Sequence, residues 1–273
     1  MDARGLRPQK KWGQHFLTDA RILGSIADAG EVAPADTILE IGPGLGHLTR
    51  VLAQRAGRVV AIEIDAQLAH NLQNDFAEAQ NVSIVRGDIL DTEPSVWLAN
   101  AGASSADFKI VANLPYYVTS AILRHVLEAA HKPRLIVVMV QREVAQRIVA
   151  RPPAMNLLAV SVQFFAQPRI VRTIAAGAFF PPPKVDSAVV RLDVFAKPRI
   201  ADTENFFRVV RAGFGEKRKQ LRNSLAHGLV RDATEIHAAL ASVNIESTRR
   251  AETLTLDEWD KVYRALIKFD KGQ

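Results

Sequence analysis

Between Thr37 and Val140, short runs of apolar and β-branched residues alternate with stretches in which apolar positions recur at helical spacing. The runs are TILEI (37–41), RVVAIEI (58–64), VSIVR (82–86), FKIVAN (108–113) and RLIVVMV (134–140). Near-continuous apolar strands suit a sheet buried on both faces. Strands alternating with helices predict an open, mostly parallel sheet covered by helices, an α/β fold. Between the first two runs, HLTRVLAQRAG reads as a helix closed by Gly57. Two later runs, LLAVSVQFFA (157–166) and DSAVVRLDVF (186–195), are separated by the proline-rich AFFPPPK and predict an added β-ribbon at one sheet edge. After Pro198 the spacing turns helical, over Glu204–Ala212, Lys217–His227, Ala233–Ser242 and Leu256–Phe269. The change of texture divides the chain into a domain of residues 1–197, with a basic N-terminal arm, and a small all-helical domain of residues 198–273.

Composition narrows the class. The 273 residues, 48% hydrophobic and 23% charged, are those of an ordinary folded protein with room for a full core. The absence of cysteine excludes disulfides, thiolate zinc sites and a cysteine nucleophile, and fits a cytoplasmic location. The N-terminus lacks the apolar stretch of a signal peptide, and no apolar run approaches the roughly 18 residues of a membrane span. Neither secretion nor a membrane partner is expected. His47, His70, His125, His131 and His227 share no ligand spacing, so no metal is expected.

Net charge is +6, and its distribution says more than its size. Within 208–224, Arg208, Arg211, Lys217, Arg218, Lys219 and Arg222 face one acid, Glu216. Such a cluster would attract a polyanion. A solvated basic helix face is the plainer reading.

The first run leads into Gly42-Pro43-Gly44-Leu45-Gly46 and then a helix, so the glycines form the first strand-to-helix turn. Glycines there let a ligand approach the backbone at the carboxyl edge of the sheet, where open α/β folds bind. A tight turn with no ligand would look the same. The spacing G-x-G-x-G, with Pro43 inside it, does not favour a pyrophosphate. The second run carries Glu63, an acid that can accept both hydroxyls of a ribose, and the third leads to Asp88, suited to the amine of an adenine. Either acid could instead be a solvated strand-end carboxylate. Taken in order, Gly42, Gly44, Glu63 and Asp88 outline an adenosine without a phosphate site, and resemble the S-adenosylmethionine-binding core of class I, Rossmann-like methyltransferases.

The fourth run ends in Asn113-Leu114-Pro115-Tyr116, which matches the N-P-P-Y type motif of adenine-N6 and related amino methyltransferases. The amine of adenine is a poor nucleophile because its lone pair is delocalised into the ring. If the Asn113 side-chain oxygen and the Leu114 carbonyl each accept an N6 hydrogen, the nitrogen can pyramidalise. Pro115 fixes its own φ and biases Leu114 toward an extended backbone that presents the carbonyl. Tyr116 offers a ring for a flipped base. The competing reading is an Asn-Pro turn after a strand. No general base stands out, and orientation of the reacting groups would supply most of the rate.

With these strings in place, the chain resembles the KsgA-type, small-subunit branch of the ribosomal RNA adenine dimethyltransferases over nearly its whole length. Lys10 to Leu17 (KKWGQHFL) is similar to the family's K-x-x-G-Q-N-F-L segment, which implies that Gln14, His15 and Leu17 close over the methionine end of the cofactor. His15 replaces the commoner asparagine. Phe179 to Ser187 matches F-x-P-x-P-x-V-x-S, which implies that Phe179 stacks on the target adenine opposite Tyr116, against the alternative of a core phenylalanine. Phe214 to Leu225 resembles the family's basic F-x-x-R-R-K-x-L-R-N-x-L helix, which marks Lys217, Arg218, Lys219 and Arg222 as RNA contacts. Residues 151–158 depart from the family's longer loop.

The resemblance implies S-adenosylmethionine as cofactor, with S-adenosylhomocysteine as product, and Asn113 touching both cofactor and base. It implies dimethylation of two adjacent adenosines in a 3′-terminal hairpin loop of small-subunit RNA, within an immature ribosomal subunit and by a monomer. Two alternatives stay open: a methyltransferase of large-subunit RNA, and a non-enzymatic RNA-binding factor that keeps the fold.

Overall fold

A computed structural model describes residues 15–270. Within them a seven-stranded sheet is built from β2 (Thr37–Ile41), β3 (Arg58–Glu63), β4 (Val82–Arg86), β5 (Lys109–Asn113), β6 (Leu135–Gln141), β7 (Ala166–Ile174) and β9 (Ser187–Val194), in the order β4-β3-β2-β5-β6-β9-β7. The strands from β4 to β6 are parallel, whereas β9 pairs antiparallel with β6 and β7 antiparallel with β9. A separate two-stranded ribbon joins β1 (Phe16–Leu17) to β8 (Phe179–Phe180). The chain runs outward from β2 through β3 to β4 and then returns to β5 on the other side of β2. That reversal opens a crevice at the carboxyl ends of β2 and β5, where such sheets bind ligands.

The helices that precede and follow β2 read clearly from local chemistry. Asp19 caps α1 (Ala20–Ala29) by accepting from the Arg21 and Ile22 N–H groups, and Asp65 caps α3 (Ala66–Asp75) in the same way through Gln67 and Leu68. Helix α2 (His47–Ala53) ends at Gln54 rather than at the expected Gly57. Gly57 instead lies just before β3, where a Cβ would come within 2.3 Å of the Pro34 carbonyl oxygen. Helices α4 (Pro94–Asn100) and α5 (Thr119–Glu128) precede β5 and β6, and α6 (Arg142–Ile148) follows β6. The buried residues of β2, α1 and α2, among them Ile26, Ile38, Leu48 and Leu52, form one core with Leu17, Phe179 and Val189.

The edge ribbon exists, but not with the first strand expected. Residues 157–163 are helix α7 (Leu157–Gln163), and the strand is β7, which starts at Ala166. A continuous apolar run fits a buried helix as well as a buried strand. Here Asn156 decides the matter by accepting from the Ala159 N–H at 3.1 Å, an N-cap.

The chain divides into two compact units, one running up to Gln146 and resuming over Ala166–Ala196, the other comprising Arg147–Phe165 and the residues from Lys197 onward. A single cut near residue 197 therefore misassigns 147–165. The second unit holds α7, α8 (Thr203–Phe214), α9 (Leu221–Leu229), α10 (Ala233–Ser242) and α11 (Leu256–Asp270). Its core is aromatic: Phe164 stacks on Phe206 and meets Phe207 edge-on, and Trp259 fills the space beside Gly213, where a Cβ would lie 2.3 Å away. This packing ties 147–165 to the helical unit. Among the described residues no helix is long and apolar enough to cross a membrane.

Candidate active site

Gly42, Gly44 and Gly46 all lie in the left-handed region, at φ 68°, 59° and 76°. A side chain there would be strained, and at Gly46 a Cβ would also come within 2.6 Å of Leu72. The turn is thus one that only glycine makes easily, and it leaves bare backbone at the end of β2. Glu63, at the end of β3, is buried, and its two oxygens accept from the Gly44 N–H at 3.1 Å and the Asp65 N–H at 2.9 Å. Burial pushes its carboxyl up, and those backbone bonds oppose the shift. The carboxylate is held in one orientation with lone pairs to spare.

A second acid faces the same cleft. Glu40, near the end of β2, is 1% exposed, and among the described residues its Oε2 has no hydrogen-bond partner. Burial, with Glu63 nearby adding repulsion, pushes its carboxyl up to about 8. Sequence reasoning passed over Glu40, although an acid inside the otherwise apolar TILEI run was a visible signal.

The Asn113-Leu114-Pro115-Tyr116 string lies directly against the glycine turn. The nearest atoms to a Cβ placed on Gly42 would be Cδ and Cγ of Pro115, at 3.7 and 3.8 Å, and the Asn113 carbonyl oxygen at 4.0 Å. The Leu114 N–H continues the sheet by donating to the Met139 carbonyl at 3.1 Å. The Pro115 carbonyl is taken by the Thr119 hydroxyl at 3.1 Å and the Val118 N–H. Tyr116 is half-buried, with its hydroxyl 2.6 Å from Ser187 Oγ, and burial keeps its phenol neutral by pushing its pKa up.

The N-terminal segment forms a wall of this cleft. The His15 ring stacks on Tyr116 with centroids 5.8 Å apart, and its Nδ1 donates to the Pro181 carbonyl at 2.8 Å. The Leu17 side chain is buried in the core, and its carbonyl accepts from His47 Nδ1 at 3.0 Å. Gln14 and the basic residues before it lie outside the described residues.

Two expected positions fall elsewhere. Asp88 does not line the cleft; its carboxylate caps the turn Ile89–Asp91 by accepting from the Leu90 N–H at 3.0 Å. Its charge still reaches the cleft corner, because Tyr117, which lines it, has its phenol pushed up by burial and then by Asp88 and Glu63. Phe179 is 4% exposed within the core, so its ring is not free to stack opposite Tyr116. The reason is strand alternation: Phe179 pairs with Leu17 and shares its inward face. The exposed neighbour is Phe180.

In the helical unit, Lys217, Arg218 and Lys219 are exposed but lie in the turn between α8 and α9, not on a helix as expected. The chain leaves α8 at Gly215, and α9 starts only where the Leu221 and Arg222 N–H groups bond the carbonyls of Arg249 and Ser247. Arg222 is half-buried in the first turn of α9. Among the described residues these four cations have no ion-pair partner, and no group of three or more acids and histidines could hold a metal ion.

Residues 5–266 match the model of a family described as Ribosomal RNA adenine dimethylase. A relative from Dehalococcoides mccartyi, named Ribosomal RNA small subunit methyltransferase A, is 45% identical over 261 residues, spanning 95% of this chain and 88% of its own. The 23S rRNA methyltransferase ErmE superposes with a TM-score of 0.72 at 28% identity, covering 92% of this chain and 99% of its own. A dimethyladenosine transferase from Plasmodium falciparum gives a TM-score of 0.78 at 23% identity, covering 94% and 98%, and shows the shared fold.

Proposed function

The chain belongs to the ribosomal RNA adenine dimethylase family, and from that premise we propose that it dimethylates N6 of two adjacent adenosines in a 3′-terminal hairpin loop of small-subunit ribosomal RNA. It is an S-adenosylmethionine-dependent methyltransferase of class I fold. The observation that carries the proposal is the abutment of the Gly42–Gly46 turn on Asn113–Tyr116 at the sheet's switch point, which puts a nucleoside cradle beside an amine-orienting motif. The 45% identity to a small-subunit enzyme favours that RNA over the large-subunit alternative, whose structural relative stands at 28%.

The cleft residues suit the cofactor. The orphaned, buried Glu40 oxygen matches the ammonium of its methionine end, and Glu63 matches a ribose diol. Among the described residues no lysine or arginine lines the cleft to receive a phosphate. When bound, S-adenosylmethionine supplies an electrophilic methyl group on sulfonium. The protein's part is orientation. In the first transfer the Asn113 side-chain oxygen and the Leu114 carbonyl accept the two N6 hydrogens, freeing the lone pair to point at the methyl group; in the second they hold the one hydrogen that remains, and each transfer releases one N6 proton to solvent. Tyr116 supports the base through its ring. His15 backs that ring, and Asp88 contributes charge at the adenosine corner through its position beside Tyr117.

Lys217, Arg218, Lys219 and Arg222 hold the RNA backbone, and the helical unit is the RNA-binding domain. The substrate is an immature small subunit, engaged in the cytoplasm by a monomer during ribosome biogenesis. The test is incubation with methyl-labelled cofactor and each ribosomal subunit, mature and immature, followed by digestion and identification of the labelled nucleoside. N6,N6-dimethyladenosine confined to small-subunit RNA is the expected result, and label in large-subunit RNA would overturn it.

A further inference from the structure

The proposed mechanism leaves unused an exposed aromatic ring beside the cleft, that of Phe180. In the β1–β8 ribbon the directly opposed pairs are Leu17 with Phe179 and Phe16 with Phe180. Opposed residues of an antiparallel pair project to one face, and successive residues alternate between faces. Leu17 and Phe179 are core residues, so Phe16 and Phe180 share the other face. Both Phe16 and Leu17 line the cleft, but it is the Phe16 ring that meets the glycine turn, its edge 3.1 Å from where a Gly44 Cβ would sit, so the Phe16 face is the one turned to the ligand cradle. Phe180 thus shares the Phe16 face of the ribbon, next to the cleft rather than lining it, with 57% of its surface exposed.

The turn that presents this ring is firmly held. The carbonyl of the next residue, Pro181, accepts the Nδ1–H of His15, and His15 stacks on Tyr116, so one imidazole connects the two places. Farther along, Asp186 accepts from the Ala176 N–H at 3.2 Å and from Arg142 at 3.0 Å. The exposed Lys184 lies on the same turn. A solvent-facing ring with a cation nearby, next to the position of a flipped base, is the equipment of single-stranded RNA recognition: the ring takes a base face and the cation a phosphate.

We infer that Phe180 is the stacking platform for an unpaired nucleobase adjacent to the target adenosine, a subsite separate from the one that holds the target. This rests on the reading that the cleft methylates unpaired adenosines in RNA. Because every base has a π-face, the platform contributes affinity and register rather than base identity. In a substrate with two neighbouring adenosines, it would hold one while the other is in the methylation pocket.

The test uses the full-length protein and a hairpin RNA carrying 2-aminopurine beside the target adenosine, whose fluorescence is quenched on stacking. Wild type and Phe180→Trp should quench; Phe180→Ala and Phe180→Leu should not. The leucine variant keeps apolar bulk on the ribbon, so its loss reports the ring and not the fold. With immature small subunits, Phe180→Ala should raise KM for RNA about tenfold, the scale of one lost base–aromatic stack, while kcat falls far less and cofactor affinity holds. Wild type that methylates, with equal KM and equal quenching for Phe180→Ala or Phe180→Leu, would overturn the subsite and leave the proposed function standing. Ring-dependent quenching without any methyl transfer by wild type would do the reverse.

Discussion

The hydroxyl of Tyr116 lies 2.6 Å from that of Ser187, across 71 residues of sequence. Ser187 is fully buried and opens β9, opposite Gln141 of β6. The antiparallel strand added to the parallel sheet therefore reaches back and fixes the ring proposed to carry the target base. The last residue of the proline-rich string thereby acquires a role in binding, since a ring fixed in advance has less freedom to lose when the base arrives.

This bond predicts a coupling. Tyr116→Phe keeps the ring and removes the hydroxyl, and Ser187→Ala removes its partner. Each should lower kcat/KM for RNA by a factor of about five, the scale of about 1 kcal/mol for a hydrogen bond. The double variant should be no worse than either single one. Steady-state rates of the four proteins on immature subunits decide it, and additive losses would mean that the two hydroxyls act independently.

Glu63 is predicted to bind cofactor without RNA present. Its carboxylate is already oriented by Gly44 and Asp65, so Glu63→Gln should cost chiefly the charge-assisted bonds to the ligand. Such bonds are worth about 1.5 to 3 kcal/mol, or tenfold and more in affinity. Calorimetric titration giving the same affinity for variant and wild type would remove the ribose assignment.

Glu40 makes a prediction about pH. Its carboxyl ionises near 4.5 in the unfolded chain and near 8 in the folded protein. Between those values the folded state binds more protons, so the stability of the cofactor-free protein should fall as pH rises from about 4.5 to about 8 and then level off. A cationic ligand group favours the ionised form, so cofactor binding at pH 7 should release a proton. Titrations in buffers of different ionisation enthalpy measure that release. Glu40→Gln should abolish it and flatten the stability profile, and an unchanged proton count would refute the assignment.

The sequence was most legible where burial on both faces left an apolar signature. Four of the five parallel strands, β2, β3, β5 and β6, are buried in this way and the edge strand β4 is only half-buried, yet all five lie within one residue of the expected runs, and the glycine turn, Glu63 and Asn113–Tyr116 converge on one cleft. What was hidden depended on pairings that the sequence does not display. Whether Phe179 or Phe180 faces outward follows from the register with β1, and only that register assigns Phe179 to the core. Residues 157–163 were misread because apolar periodicity alone cannot separate a buried helix from a buried strand, and the Asn156 cap was overlooked. The helix expected from Lys217 starts later because backbone bonds from a distant segment, Ser247 to Arg249, set the first turn of α9.

That turn carries the next prediction. Exposed cations without ion-pair partners among the described residues can release condensed counterions when they meet phosphates. Neutralising Lys217 and Arg218 together, as Lys217→Gln with Arg218→Gln, should weaken RNA binding and flatten its salt dependence by about 0.7 to 0.9 in log–log slope per lost contact. Cofactor affinity should hold. Filter binding at several salt concentrations provides the slope, and an unchanged value would make the basic turn a solvated surface.

The sharpest expectation concerns Asn113. It ends β5 beside the Gly42 turn, and the proposed function puts the target amine against its side chain. The bond it accepts from N6 should strengthen as the nitrogen pyramidalises and gains positive charge, so the interaction is larger in the transition state than in the ground state. Its removal should then appear in kcat and much less in binding. For Asn113→Ala we expect a fall in the single-turnover rate of two to three decades, about 3 to 4 kcal/mol, with at most a modest loss of cofactor affinity. Tyr116→Ala should differ in kind, losing stacking and recovering much of its rate at high RNA concentration. Single-turnover methylation at saturating cofactor and RNA separates the two, and a near-wild-type rate for Asn113→Ala would assign the orientation of N6 to another group.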